Sequence, residues 1–201
     1  MTHDPRDRKV RPDRQNYGDR MPPGQRATEK WPALTAGAVP HIDLKTWAFR
    51  VWGEVEEELT LSWQEFVALP KTTVSADVHC VEGWSIVDST WEGVSFGELM
   101  KRIRLKAEAR YVMVHSYGDY TTNLSLEDLL DDGVLFAYKH NGEELTPAHG
   151  WPLRLVVPKL YFWKSAKWVW GLQFMNEDRL GFWESRGYHH RGDVWREERY
   201  S

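Results

Sequence analysis

An α+β fold with mixed sheets, in a single domain, is what the sequence predicts, and three observations predict it. Short apolar runs with strand periodicity recur along the chain, three serine-capped segments read as short helices between them, and β-α-β units do not alternate steadily. A length of 201 residues with 41% hydrophobic positions supports one core.

The elements follow in chain order. Residues 1–30 carry thirteen charged side chains and, of Leu, Ile, Val and Phe, only Val10, so a mobile charged tail is expected there. The domain proper is expected over 31–201. Alternation of Trp47, Phe49 and Val51 predicts a strand, as do the runs Val74 to Val78, Tyr111 to Val114, Val134 to Tyr138, Leu153 to Val157 and Trp168 to Phe174. Three capping boxes announce helices: Ser62 with Glu65, Ser95 with Glu98, and Ser125 with Asp128. Asn141-Gly142 reads as a hairpin turn. From about 176 to 201 the chain is polar and aromatic, an arm expected to dock through Phe182, Trp183, Tyr188, Trp195 and Tyr200.

Charge and cysteine content exclude several classes. The tail carries a net +3 and the whole chain −4, which leaves the body acidic and a poor nucleic-acid binder. The twelve Trp with interspersed Lys therefore read as core rather than as a base-stacking surface. One cysteine permits no internal disulfide, and no apolar run is long enough to span a bilayer. Without an export signal or an Arg-Arg pair, the expected compartment is the cytoplasm. His189-His190 lacks a third ligand at metal spacing, and the Glu54 to Glu58 run is a solvated turn.

Two clusters carry chemistry. Cys80 ends a strand run and precedes Val-Glu-Gly-Trp-Ser; by itself it is either a buried small hydrophobe or a soft ligand. His149-Gly-Trp-Pro-Leu-Arg154 leads into a strand, and Lys164-Ser-Ala-Lys167 follows it. Arg154, Lys164 and Lys167 supply donors suited to phosphate. Arg154 interrupts an apolar run, so it needs either an anionic ligand or a carboxylate bridge.

These stretches, with Phe-Trp-Glu-Ser-Arg-Gly-Tyr at 182–188, resemble in order and spacing the molybdopterin-binding domain of the sulfite oxidase superfamily, which includes sulfite oxidases, plant-type nitrate reductases and the bacterial methionine-sulfoxide reductase catalytic subunit. The resemblance covers roughly Trp31 to Tyr200. It implies a molybdenum cofactor, with the Cys80 thiolate on the metal and His149, Arg154, Ser165, Ala166 and Lys167 holding the pterin and its phosphate. Ser116 matches a further cofactor contact, and Thr35 and Ala36 fall in the first cofactor loop. Tyr188 matches the active-site tyrosine, its alternative being a docked arm aromatic.

The departures bear on substrate. Sulfite oxidases place two arginines in the substrate pocket, where this chain has about Leu34 and Ser85, so sulfite is expected to be a poor substrate. The haem and dimerisation domains of relatives have no counterpart, so the expectation is a monomer without haem that meets a separate electron-transfer partner and a small-molecule substrate. Two-electron oxygen-atom transfer is the expected reaction. The rivals are a sulfoxide or N-oxide reductase and a non-catalytic carrier of the cofactor.

Overall fold

The computed structural model describes residues 17–201. Of the expected tail, residues 1–16 lie outside the described region. Residues 21–27 do not belong to a tail: Met21 and Gln25 are buried, and β1 (Arg26–Ala27) pairs in parallel with β6 (Trp84–Ile86). The expectation rested on the scarcity of aliphatic residues, but a two-residue strand is held by backbone hydrogen bonds and needs no apolar side chains of its own.

Two five-stranded sheets enclose the main core. One contains β2 (Ala48–Gly53), β3 (Leu59–Ser62), β8 (Tyr111–Ser116), β9 (Thr121–Ser125) and β13 (Val169–Met175), in the order β3-β2-β13-β8-β9. The other contains β4 (Thr72–Ser75), β7 (Thr90–Ser95), β10 (Leu135–His140), β11 (Glu143–Glu144) and β12 (Arg154–Val156), with β10 at its centre. A small third sheet joins β1 and β6 to β5 (Val78–His79). Of these pairs, only β13/β2 and β1/β6 are parallel, which makes the sheets mixed as expected.

The periodic strands formed where expected, because alternation puts Trp47, Phe49 and Val51 on the buried face. The run Val74 to Val78 is instead broken into β4 and β5. The strands β6, β7 and β9 carry no clear alternation, while β3 is a short Leu-Thr-Leu-Ser run. In β9, Thr122 and Asn123 are buried polar residues satisfied by Glu184 and Asp178, partners distant in sequence.

Each capping serine starts a short helix: α1 (Trp63–Val67), α2 (Phe96–Met100) and α3 (Leu126–Leu129). At Ser62 the box is reciprocal. At Ser95 the Glu98 carboxylate turns to Lys101 and Arg102 instead. At Ser125 the Asp128 carboxylate both accepts from the serine and meets Arg191 at 2.8 Å. Asn141 and Gly142 both take the left-handed conformation, φ 49° and 83°, that a two-residue hairpin turn demands.

The C-terminal segment packs on the body through some of its aromatics and not others. Trp183 and Tyr188 stack together and Val194 is fully buried, while Trp195 and Tyr200 stay largely exposed. No helix among the described residues is long and apolar enough to cross a membrane.

Candidate active site and cofactor cleft

A cleft of about 570 Å³ opens where the Cys80 turn, the 31–40 segment, the 162–168 segment and the C-terminal arm converge. That is the size of a small-ligand or cofactor site. It brings together Cys80, Thr35, Ala36, His149, Arg154, Ser165, Ala166, Lys167 and Tyr188. Ser116 is not on its wall: it lies buried at the end of β8 with its hydroxyl unpaired, and the neighbouring Tyr117 and Gly118 line the cleft instead.

Cys80 caps β5 in a turn closed by hydrogen bonds from its amide to Trp84 O (2.8 Å) and from Gly83 N to its carbonyl (3.0 Å). Burial pushes its thiol up to about 11, against the pull of the Glu82 and Val81 amides and Arg199. A metal taking this sulfur must displace the proton. Tyr188 faces the same end, stacked on Trp183 at 5.0 Å and edge-on to Trp163 at 5.0 Å.

Arg154 also lines the cleft, 2% exposed. Its Nη1 and Nη2 donate to the carbonyls of His149 (2.8 Å) and Ser165 (2.9 Å), and its guanidinium lies over the Phe162 ring at 4.2 Å. No carboxylate bridges it among the described residues, and its Nε is buried without a partner. Burial lowers this guanidinium to about 9. Lys167 is pushed down to about 8, by burial and then by the charge of Arg154; its Nζ rests on the carbonyls of Leu34 (2.6 Å) and Ala148 (2.9 Å). His149, stacked on Trp31 at 4.1 Å, is lowered by burial and by both cations. Arg154 and Lys167 are thus a desolvated cationic pair beside His149, with no carboxylate partner among the described residues.

Gly150 allows that cluster to form. At φ 112° it sits where a Cβ would come within 3.1 Å of Arg154 Cβ and 3.2 Å of the Lys167 stem. Ser165 braces the cluster by accepting from Val157 N at 2.9 Å, and the carbonyl of Ala166 accepts from Leu155 N at 2.8 Å. Thr35 hydrogen-bonds to Gly37 O in the exposed 31–40 segment.

Lys164 does not contribute to the anion site. Its Nζ is fully buried 2.6 Å from Glu184 Oε1, which Thr122 and Trp163 also donate to. Other cations that could have replaced the missing pocket arginines are engaged away from the cleft: Lys159 with Asp131 and Asp128, Arg191 with Asp128, and Arg186 with Phe182. Ser85 is buried against His79 and Gln25, and Leu34 is exposed at the rim. Around Cys80 the lining residues are Trp84, Trp163, Trp183 and Tyr188, with Glu82 as the charged one.

Sequence reasoning missed Trp31, Phe162 and Glu82. Trp31 and Phe162 act as ring faces for His149 and Arg154, a role that leaves no spacing signature.

The donor set fits a molybdenum-pterin cofactor: a soft sulfur and, on the same cleft wall, a guanidinium and a lysine with no carboxylate partner among the described residues, a pair suited to a phosphate. Comparison with known proteins agrees. The family model of the oxidoreductase molybdopterin binding domain matches residues 36–183. A Bacillus subtilis (strain 168) protein named uncharacterized oxidoreductase YuiH is 46% identical over 183 residues, covering 90% of this chain and 92% of its own length. The protein-methionine-sulfoxide reductase catalytic subunit MsrP of Xanthomonas campestris is 31% identical over 160 residues, and the match covers 70% of this chain but only 48% of that subunit. The solved structure of the sulfane dehydrogenase SoxCD from Paracoccus pantotrophus shares the fold, with TM-score 0.63 and 22% identity over 69% of this chain and 40% of that one. The buried thiol and the Arg154 cluster in one cleft, together with these matches, lead to one conclusion: the chain belongs to the oxidoreductase molybdopterin-binding family and is a molybdenum-cofactor-dependent oxidoreductase.

Proposed function

We propose that the protein carries out two-electron oxygen-atom transfer on a small neutral or partly apolar substrate, with Cys80 as the protein ligand to molybdenum and with sulfite a poor substrate. The observation that carries this reading is how charge is distributed around the cleft: Arg154 and Lys167 act on each other and on His149, whereas the charges that act on Cys80 are Glu82 and Arg199. A sulfite dianion would find no cation on the cleft wall beside Cys80, since Arg199 is turned to Val81 O and Pro23 O, and each missing charge-assisted hydrogen bond weakens binding by about 1.5 to 3 kcal/mol.

When bound, the cofactor supplies the atom transfer and the electron pair. The chain's own residues hold and shield it. Cys80 would hold the metal as a thiolate, and Arg154 and Lys167 would hold the pterin phosphate with His149 against the pterin. Ser165, through its hydroxyl, and Ala166, through its carbonyl, would brace that contact, and Thr35 and Ala36 would line it from the 31–40 segment. The Trp84, Trp163 and Trp183 rings exclude water from the substrate end. Tyr188, packed against two of those rings and lining the cleft, would be the hydrogen-bonding group for the substrate's oxygen.

Sulfoxide reduction is the direction favoured by the apolar mouth and by the names of the methionine-sulfoxide reductase relatives. It consumes two electrons and two protons and releases sulfide and water, the electrons arriving from a separate partner protein. Steady-state assays decide it, using sulfite with an oxidising dye, and sulfoxides and N-oxides with a reduced dye. Turnover of a sulfoxide with weak or undetectable sulfite oxidation is expected, and efficient sulfite oxidation at micromolar KM would refute the proposal.

A further inference from the structure

The turn that carries Cys80 is held from behind by both ends of the described chain. Gln25 is 3% exposed, and its Nε2 donates to Cys80 O at 2.9 Å. With Gly83 N already on that carbonyl, both of its lone pairs are used. The donor requirement fixes the Gln25 amide orientation, since the flipped amide would set two carbonyl oxygens against each other. Its Oε1 then accepts the Ser85 hydroxyl at 3.0 Å. Ser85, having donated there, accepts from His79 Nδ1 at 2.8 Å, and burial keeps His79 neutral, at about 4. His79 O in turn accepts from Phe162 N at 2.8 Å. The neighbouring backbone is zipped down as well, Arg26 N to Gly83 O at 3.0 Å and Thr28 N to Ser85 O at 2.9 Å.

From the C-terminal arm, Arg199 Nη1 donates to Val81 O, its Nη2 reaches Pro23 O at 3.4 Å, and its guanidinium stacks over the Tyr161 ring at 4.8 Å. A single side chain thus ties the ligand turn to the N-terminal segment. Both Gln25 and Arg199 fall outside the 36–183 stretch that the family model matches.

We propose that Gln25 and Arg199 are positioning residues that clamp the 80–83 turn so that the Cys80 sulfur stays aimed into the cleft. This rests on the reading of Cys80 as the metal ligand. A ligand on a turn can swing, and a fixed carbonyl at the same residue removes that freedom, as outer-shell partners do for metal ligands generally. Ligand and clamp are therefore separable by experiment.

The test uses full-length protein in two forms. In cofactor-loaded protein, Gln25→Met keeps the buried volume but removes the donor to Cys80 and the acceptor for Ser85. Molybdenum loss on dialysis is expected to speed up about three- to ten-fold, the factor for one hydrogen bond, with a displaced thiolate-to-metal absorption band. In protein made without cofactor, Cys80 is the sole thiol, so labelling by an aromatic disulfide reports that turn alone. Labelling is expected to speed up by a similar factor at matched global stability, a change that mere loss of fold stability would not produce. Arg199→Met should act in the same direction if Gln25→Met folds poorly, Arg199→Lys should recover part of the effect by keeping a donor, and Arg196→Ala, on the exposed face of the same arm, should do nothing. Unchanged labelling and unchanged metal retention in Gln25→Met and Arg199→Met, with Cys80→Ser losing its metal, would overturn the clamp alone. Retention of the metal by Cys80→Ser would overturn the ligand assignment first.

Discussion

Replacing Arg154 with methionine separates a buried strut from an anion-binding group. Without cofactor, burial holds the guanidinium at about 9 rather than 12.5, equivalent to about 5 kcal/mol of opposition to its charge. Methionine relieves that opposition but strands the carbonyls of His149 and Ser165, at about 1 to 3 kcal/mol each. The two effects largely offset, so the cofactor-free protein should change in stability by no more than about 3 kcal/mol. In the loaded protein the same substitution removes a fork of charge-assisted bonds to phosphate. At about 1.5 to 3 kcal/mol for each of two bonds, cofactor affinity should fall by two to four powers of ten. Denaturant unfolding of the cofactor-free chain, with molybdenum analysis after dialysis of the loaded one, measures both quantities. A loss above about 4 kcal/mol in the cofactor-free chain, with molybdenum fully retained, would refute the anion-site reasoning.

Three further outcomes follow from other contacts. Lys164→Met leaves Glu184 buried and unpaired, so unfolding should be easier by about 3 to 5 kcal/mol, and the double change Lys164→Met with Glu184→Gln should recover much of that loss. Asp128 is pushed up by burial, but hydrogen bonds from Arg191 and Ser125 outweigh this and hold it below the usual carboxylate range; its stabilisation is present above the ordinary carboxylate pKa and lost as pH falls through the lower folded value. An acid titration of stability should therefore lose part of its low-pH slope in Asp128→Asn, and an identical slope would exclude Asp128 as a contributor. Deleting residues 1–27 should lower the melting temperature, since it removes buried Met21, worth about 2 to 5 kcal/mol, along with β1; an unchanged melt would show that the segment adds nothing.

Much of the architecture was legible because it is locally encoded. Trp47, Phe49 and Val51 alternate because one face of β2 is buried, and Ser62, Ser95 and Ser125 cap helices because each hydroxyl satisfies an amide three residues on. The polar strand β9 was not legible, since Thr122 and Asn123 become tolerable inside only when Glu184 and Asp178 arrive from the far end of the chain. The N-terminal segment was misjudged for the same reason: its order comes from pairing with Trp84 and Ser85.

For the site, the sequence by itself determined the chemistry on offer: one soft sulfur at a strand end, an arginine inside an apolar run, and a glycine next to a histidine. Their convergence was decided by tertiary structure. Lys164 and Lys167 sit three residues apart in one short segment and read alike as phosphate donors, yet one is sealed against Glu184 and the other reaches the cleft rim beside Arg154. A side chain's charge is a property of the residue, whereas its counter-ion is a property of whatever the fold brings within a few ångströms, and that is settled only when distant strands and the C-terminal arm pack together.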